Sequence, residues 1–370
     1  MSKRLDSPEC PTHGADSLRI ALDATPLTLP AGGLRRYAEQ LALALAAEYP
    51  QDHLTLVSDQ AICFASPSPN LSLRTATPAS WLERRWWLIG LNRALAVERA
   101  DVFHGLDFAV PYIKKRPSVM TIHDLSPWRD PAWNPQATRV RRRTPWLLRL
   151  GCATLVITPT ESIRRELTAR FAFPADRVVA IPLAADHLQP PAHKPQPGGY
   201  FLYVGMLERR KNLRTVLKAW RRAKSSIGVE LVLAGPIRRR EDRPPPEPGL
   251  TVLGEVAEDQ LPKLYGGALA FVYPSLYEGF GLPVLEAMRC GVPVIASCDP
   301  ALIEVSAGAA VHVPATDVEA WSAAMVRLAN DESERNRRRH LGLARAAQFS
   351  WRNTARQTRA VYQEAVHRES

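Results

Sequence analysis

The sequence predicts an α/β protein with two parallel β-sheets, each covered by helices on both faces. Three observations support this prediction. Buried-strand patterns alternate with helical patterns, the alternation restarts at residue 200, and 370 residues exceed the usual size of one domain. Parallel sheets of this kind bind ligands at the carboxyl ends of their strands, so two facing sheets predict a cleft.

The first half opens with a strand pattern at residues 18–24, followed by a loop and a helical pattern at residues 35–49. Residues 162–171 also have helical spacing. The further strand patterns of this half cover residues 54–58, 100–105, 118–124, 154–160 and 178–183.

Residues 188–199 separate the two halves, because they contain four Pro and two Gly among twelve residues. Beyond them, strand patterns at 200–205, 230–235, 250–254, 269–274 and 292–297 alternate with helical patterns at 213–223, 260–268 and 282–289. We therefore expect a disordered tail over 1–16, a first domain over 17–187, a linker over 188–199, a second domain over 200–349 and a terminal helix over 350–370.

The composition is that of an ordinary globular protein, with 46% hydrophobic and 23% charged residues. No apolar run approaches the 18 residues of a spanning helix, and the N-terminus has no apolar segment typical of a secretory signal. The five cysteines are scattered and have no Cys-x-x-Cys spacing. We expect reduced thiols in a cytosolic protein, with neither a disulfide framework nor a zinc site.

The net charge of +11 is concentrated in residues 84–165, which contain 15 Lys and Arg against 6 Asp and Glu, with tryptophans between them. Three interpretations remain open: a solvated surface, an anionic membrane surface and a nucleic-acid surface. The members proposed for a membrane or acceptor patch are Arg139, Arg141, Arg142, Arg143 and Trp146.

The strongest functional pattern lies at residues 274–297, where a strand ends in a tight, glycine-containing turn and a helix follows. Pro283 is expected as the first helical residue, and Gly291 as the residue just after the helix. The backbone N–H groups of Gly281 and Leu282 would then face an anion such as a diphosphate.

Two glutamates flank this helix start. Glu278 precedes the helix and Glu286 is expected in its first turn, so both can flank one ligand. Because carboxylates repel phosphate, they are expected to accept hydrogen bonds from sugar or ribose hydroxyls. Each glutamate alone would be an ordinary loop or helix residue, but the two together with the glycine turn favour a binding site.

EGFGLPVLEAMRCGVPVIAS (278–297) resembles the donor-site motif of the retaining glycosyltransferases of family 4, or group 1. YVGMLERRKNL (203–213) resembles a second motif of that family, and the resemblance covers roughly residues 18–365. It implies the GT-B fold, in which two Rossmann-like, doubly wound parallel-sheet domains face each other across a cleft. It also implies that the terminal helix crosses back onto the first domain, with Trp351 and Tyr362 as packing residues.

The resemblance also implies roles in the second half. Arg210 and Lys211 would clamp the donor diphosphate, which suits a guanidinium fork and an ammonium charge. Glu278 would hold sugar hydroxyls close to the reaction. The remaining donor-binding residues would be Phe280, Gly281, Leu282 and Glu286.

Three matches follow in the first half. LDATPLTLPAGGLRRYAEQL resembles the opening loop of the family, so Gly33 would bring backbone N–H groups near the transferred sugar. MTIHDLSP resembles a family motif in which His123, at a strand end, would form a hydrogen bond to the donor sugar near its reacting carbon. Asp124 could orient His123 or cap the next turn, and Thr160 in ITPTESIRREL is expected to cap a helix near the cleft.

The resemblance implies a retaining hexosyltransferase of cell-surface polysaccharide synthesis, and the charges of Arg210 and Lys211 predict that it needs no metal. The donor that the family implies is a nucleotide diphosphate sugar, GDP-mannose first and UDP- or dTDP-sugars next, with no other cofactor. The acceptor would be a glycan or a polyprenyl-linked acceptor, and the protein would be cytoplasmic, at the inner face of the membrane, without nucleic acid. The alternatives are a sugar-nucleotide epimerase, an elongating glycan synthase and a basic nucleic-acid-binding protein.

Overall fold

A computed structural model describes residues 17–62, 64, 68–77, 80–190 and 199–369 of the chain. The expected tail over residues 1–16 and residues 191–198 of the expected linker lie outside these described residues.

The first domain is built on seven parallel strands in the order β3-β2-β1-β4-β5-β6-β7. Its strands are β1 (Arg19–Asp23), β2 (His53–Ser58), β3 (Leu71–Thr75), β4 (Val102–Gly105), β5 (Ser118–Thr121), β6 (Leu155–Thr158) and β7 (Val178–Ala180). Its helices are α1 (Gly33–Glu48), α2 (Leu91–Val97), α3 (Ser126–Arg129), α4 (Thr138–Arg149) and α5 (Glu161–Phe171).

The second domain has six parallel strands in the order β10-β9-β8-β11-β12-β13. The strands are β8 (Tyr200–Val204), β9 (Leu231–Ala234), β10 (Leu250–Gly254), β11 (Ala268–Tyr273), β12 (Val294–Ser297) and β13 (Val311–Val313). The helices that follow β8 are α6 (Leu213–Ile227), α7 (Leu261–Gly266), α8 (Leu282–Arg289), α9 (Pro300–Ser306), α10 (Val318–Asn330), α11 (Glu332–Ala346) and α12 (Trp351–His367).

The two all-parallel sheets confirm the predicted fold class. Their central strands read as continuous apolar runs, because helices cover both faces and leave few positions in water. Two strands, β3 and β13, were not predicted from the sequence. Both are edge strands in which only one side chain is buried, so they give little hydrophobic signal.

Helix α12 packs against α1, and so the end of the chain belongs physically to the first domain. Trp351 and Tyr362 are buried there, as expected for packing residues. Arg359 donates to both oxygens of the buried Asp52, at 2.6 and 2.9 Å. The Tyr362 hydroxyl lies 2.7 Å from Nδ1 of His104, inside the first domain.

The two domains also touch along the edge where the carboxyl ends of their strands meet. Thr160 accepts a hydrogen bond from the backbone N–H of Ile163, which caps α5, and its hydroxyl donates to the carbonyl of Gly279 at 2.9 Å. Glu304 of α9 accepts from the backbone N–H groups of Glu161 and Ser162 at 2.7 and 2.9 Å. A carboxylate of the second domain therefore caps a helix of the first.

Three cysteines, Cys152, Cys290 and Cys298, are free thiols, whereas Cys10 and Cys63 lie outside the described residues. Within the described part of the chain, no helix combines the length and the apolar character needed to cross a bilayer.

Candidate active site between the two domains

The candidate site is formed by loops that follow neighbouring strands of the second sheet. Strand β8 leads to Arg210 and Lys211, and its neighbour β11 leads to Glu278 and the start of α8. Because the strands are parallel and adjacent, their carboxyl ends bring these two loops together.

Glu278 and Lys211 form a buried ion pair at the centre of this site. The Lys211 ammonium lies 2.5 Å from Oε1 of Glu278 and donates to the Tyr273 hydroxyl at 2.8 Å. Burial alone would raise the pKa of Glu278, but the positive charges of Lys211 and Arg210 outweigh it and lower the pKa. Glu278 is therefore an ionised carboxylate whose charge is already neutralised.

Arg210 extends this cluster across the cleft. Its Nη1 donates to the carbonyl of Tyr277 at 2.9 Å and lies 3.7 Å from carboxylate oxygens of both Glu278 and Asp124. Its Nη2 lies 3.1 Å from Glu208. Since Asp124 belongs to the first domain, the guanidinium holds charges of both domains together.

Helix α8 begins at Leu282, one residue before the expected start, so Pro283 is its second residue. Gly281 precedes the helix with φ of 84°, and a Cβ there would lie 2.2 Å from Leu302 Cδ2. Because the left-handed Gly281 lets Leu282 adopt helical geometry, Glu286 falls in the second turn, and its expected first-turn position is wrong.

The side chain of Phe280 packs into the core rather than into the cleft. It is buried, and its ring meets that of Phe349 edge-on at 6.0 Å between centroids. Phe280, Gly281 and Leu282 can therefore offer a ligand only their backbone, as expected for a helix N-terminus.

Glu286 lies at the other end of the site and is only 1% exposed. Its Oε1 accepts from Arg36 of the first domain at 2.6 Å, and its Oε2 accepts from the Tyr265 hydroxyl at 2.9 Å. The nearest histidine nitrogen, Nε2 of His187, lies 3.8 Å from Oε1. Glu286 thus faces the boundary between the domains.

His123 lies two residues beyond the end of β5, against the second domain. Its Nε2 lies 2.8 Å from the carbonyl of Leu106. A carbonyl only accepts, so Nε2 carries the proton and Nδ1 remains an acceptor. Burial lowers the pKa of His123, which favours the neutral ring. Asp124 does not orient it: its Oδ1 accepts from the Ser126 N–H at 2.8 Å and caps the turn.

Gly279 allows the close approach of the domains, whereas Gly33 has open space around it. A Cβ at Gly279 would lie 1.8 Å from the carbonyl oxygen of His123, so this contact requires glycine. Gly33 is the first residue of α1, and a Cβ built on it would meet no atom within 4 Å. His123 is therefore adjacent to the Glu278 loop, while Gly33 begins the helix that carries Arg36.

The residues of the expected basic patch all lie on helix α4, which turns them to different sides. Arg139, Arg142 and Trp146 are exposed, with Trp146 61% exposed. Arg141 instead donates to the carbonyl of Asn134 at 2.9 Å. Arg143 lies beside the hydroxyl of Tyr112 at 3.2 Å. Arg141 and Arg143 are half-buried and hold neighbouring loops, because α4 turns them toward the domain, whereas Arg139, Arg142 and Trp146 form the exposed part of the patch.

Several residues of the site were not predicted. Asp299 accepts from the backbone N–H of Glu278 at 3.2 Å and caps α9, and burial raises its pKa to about 7. The Asp-Pro pair at residues 299–300 is a helix-start signal that could have indicated it. The sequence around Arg36 and Tyr265 contains no such signal, because each contacts Glu286 across a long separation in the chain. Within the described residues, no group of three or more His, Cys, Asp or Glu side chains could hold a metal ion.

Comparisons with known proteins agree with this geometry. Residues 186–343 match the family model described as glycosyl transferases group 1, and residues 31–187 match the model described as glycosyltransferase family 4. The O-antigen chain mannosyltransferase B of Escherichia coli is 34% identical, over 93% of this chain and 99% of its own length.

Two solved structures share the fold. The sucrose-phosphate synthase of Thermosynechococcus elongatus has a TM-score of 0.73 at 23% identity, covering 94% of this chain and 98% of its own. HepE of Anabaena, in complex with UDP-glucose, has a TM-score of 0.68 at 17% identity, and the match covers 94% of this chain and 100% of its own. The chain therefore belongs to the group 1, family 4 glycosyltransferases and has their GT-B fold.

Proposed function

We propose that this protein transfers mannose from GDP-mannose to a lipid-linked glycan during cell-surface polysaccharide synthesis, with retention of anomeric configuration and without a metal ion. The choice of sugar and pathway is supported by the E. coli O-antigen mannosyltransferase, which matches over nearly its full length. The observation that carries the proposal is the buried Lys211–Glu278 pair, with Arg210 beside it, at the start of α8.

In this proposal the second domain binds the donor. Arg210, Lys211 and the free N–H groups at the start of α8 hold the diphosphate, which places positive charge where negative charge develops as it leaves. Glu278 accepts hydrogen bonds from sugar hydroxyls, and Glu286 from the ribose. Both glutamates can act this way because each lies at the domain boundary rather than in the interior of a sheet.

The chemical step breaks the bond between the anomeric carbon and the diphosphate oxygen, and the electron pair leaves with the diphosphate. The acceptor hydroxyl bonds the same face of that carbon, and its proton passes to the departing phosphate oxygen. Glu278 is not a free nucleophile in this scheme, because Lys211 already holds it at 2.5 Å. Retention then follows from departure and attack on one face.

The first domain contributes Gly33 and His123. The unprotonated Nδ1 of His123 would accept a hydrogen bond from the sugar close to its reacting carbon, and the backbone at Gly33 would donate to it. Contact between Gly279 and the His123 carbonyl closes the site and limits water access, which reduces hydrolysis of the donor. Arg210 and Lys211 supply the positive charge that a metal ion would otherwise provide.

The acceptor side involves the exposed basic surface of α4. Arg139, Arg142 and Arg149 are exposed there beside Trp146 and Leu150, which is 70% exposed. Indole rings and cations of this kind suit the interface of an anionic bilayer, where each charge is worth about 1 kcal/mol. We infer docking on the inner face of the cytoplasmic membrane, where a polyprenyl-linked acceptor would be available.

Donor and product analysis tests the enzymatic proposal. Purified protein is incubated with GDP-mannose, UDP-glucose or a dTDP-sugar, with and without a polyprenyl-linked acceptor and with EDTA. Acceptor-dependent release of GDP that persists in EDTA, with an α-linked product by NMR, supports it. Formation of an epimeric sugar nucleotide without acceptor, or a β-linked product, would overturn it.

Flotation with liposomes tests the membrane surface. The variant carries Arg139→Ser, Arg142→Ser and Arg149→Ser, and the charge-matched control carries Arg214→Ser, Lys218→Ser and Arg222→Ser on the exposed face of α6. We expect binding to vesicles containing phosphatidylglycerol, but not to neutral vesicles, and loss of binding only in the α4 variant. Equal binding by the α4 variant and wild type would refute docking through α4.

A further inference from the structure

Arg36, near the start of α1, is a charged residue of the cleft that the roles proposed above leave unused. Its side chain is 14% exposed. Its Nε donates to Glu258 at 2.9 Å and its Nη1 to Glu286 at 2.6 Å. Both carboxylates belong to the second domain, so Arg36 carries a positive charge of the first domain into the wall of the donor site.

Two nitrogen donors at this position have no acceptor among the described residues. One is Nη2 of Arg36, whose hydrogen bonds to protein involve only Nε and Nη1. The other is on His187, whose side chain is 6% exposed. Its Nδ1 accepts from the indole N–H of Trp351 at 3.2 Å, so the neutral ring carries its proton on Nε2, which has no hydrogen-bond partner.

These donors and the neighbouring carboxylates define the chemistry of a matching ligand. Nε2 of His187 lies 3.8 Å from oxygens of both Glu258 and Glu286, so donors and acceptors alternate over a short distance. A buried N–H without a partner is costly, which favours a ligand that supplies acceptor oxygens. A nucleoside diphosphate offers both kinds of group, because its ribose hydroxyls can donate and its phosphate oxygens only accept.

We propose that Arg36 and His187 form a second half of the diphosphate-binding site, contributed by the first domain and its C-terminal end. This inference rests on the proposed donor site. When a ribose hydroxyl takes the place of Arg36 on Glu286, Nη1 of Arg36 is released toward the phosphate oxygens. Glu258 keeps Nε in position, so the guanidinium turns without leaving the cleft.

Binding of GDP and of guanosine, each measured by titration calorimetry, tests this assignment. Arg36→Gln is expected to weaken GDP binding about 10- to 100-fold, the range for a lost charged hydrogen bond, and to leave guanosine binding unchanged or tighter. Arg36→Lys should recover part of the loss, and His187→Gln should weaken GDP binding less than Arg36→Gln. The matched control is Arg35→Gln, since Arg35 donates to the carbonyl of Leu29 instead of facing the site.

The outcomes separate three cases. Equal weakening of GDP and guanosine by Arg36→Gln, or an equal effect of Arg35→Gln, would show a structural or long-range role and overturn the inference. Unchanged GDP binding in Arg36→Gln, while wild type still transfers sugar, overturns the inference and leaves the proposed function intact. If wild type binds no nucleotide and transfers no sugar, both fail together.

Discussion

Glu278 and Glu286 lie eight residues apart on one loop and helix, yet their charges are balanced in different ways. Glu278 is neutralised within its own domain by Lys211, at 2.5 Å. Glu286 relies on Arg36 of the other domain, at 2.6 Å, and on the hydroxyl of Tyr265. The Glu278 end of the site is therefore organised before closure, whereas the Glu286 end is completed only when the domains meet.

The largest effect is expected from Glu278→Gln. It removes the partner of the buried Lys211 ammonium, and breaking such a pair costs about 3 kcal/mol of unfolding free energy. It also removes the negative charge and replaces one of the two acceptor oxygens facing the sugar by an amide NH2 donor, so kcat should fall about 100-fold or more. Kinetics of nucleotide release and urea denaturation measure the two effects.

Glu334→Gln is a matched control for this variant. Glu334 is a buried carboxylate of the same domain, with Arg337 at 2.7 Å and Arg338 at 2.9 Å, but it lies on α11, outside the site. It should lose stability and keep its kcat. A comparable fall in kcat for both variants would mean that Glu278 acts through stability alone.

Gly279→Ala tests the dependence on closure and should have the next largest effect. The added Cβ would lie 1.8 Å from the His123 carbonyl, so the domains must separate or shift. We expect kcat to fall about 10- to 100-fold, the scale for a misplacement near 1 Å, while binding of nucleotide to the second domain persists. A kcat close to that of wild type would contradict a requirement for this contact.

A pair of tyrosine variants should separate the two ends more finely. Tyr265 donates to Glu286 at 2.9 Å, and Tyr273 accepts from Lys211 at 2.8 Å. Tyr265→Phe should raise the donor KM about fivefold and Tyr273→Phe should lower kcat about fivefold, since one hydrogen bond is worth about 1 kcal/mol. Identical kinetic changes in both variants would remove the distinction between the two ends.

The smallest effect concerns acid stability at the Glu286 end. Burial, and secondarily the charge of Arg36, lowers the pKa of His187 to about 4 from its ordinary 6.5. Between these pH values the unfolded chain binds a proton that the folded protein does not, so stability falls as pH decreases. His187→Gln keeps an acceptor for Trp351 and should show a shallower loss.

Urea denaturation at several pH values between about 4 and 6.5 measures this slope. His104, whose pKa burial lowers to about 3, contributes an acid dependence of its own and remains in both proteins. A slope as steep in the variant as in wild type would show that His187 does not contribute.

The sequence predicted the second-domain end of the site better than the first-domain end. Gly281 and Glu278 lie in one short continuous motif, so local turn and helix rules were enough to place them together. Arg210 and Lys211 lie in a second short motif, and its resemblance to the family placed them in the same site. The contact of Arg36 with Glu286 joins residues 250 positions apart. Neither periodicity nor spacing in the sequence predicts this contact, because it depends on how the two domains meet.

The same limit applies to the basic segment. Charge density around α4 was visible in the sequence, but the side to which each arginine turns was not. Arg142 and Trp146 face solvent, one helical turn apart, whereas Arg141 and Arg143 bond loop groups of their own domain. Neighbouring residues on a helix point in different directions, so a run of like charges overstates the exposed patch.

Helix α12 has a consequence for how this chain is made. Trp351, Tyr362 and Arg359 complete the first domain from the far end of the sequence, with Arg359 bonded to Asp52. A ribosome delivers the seven strands of that domain long before it delivers these residues. The first domain must therefore stay partly uncovered until the second has emerged, and a chain cut after residue 349 should leave the longer piece prone to aggregation.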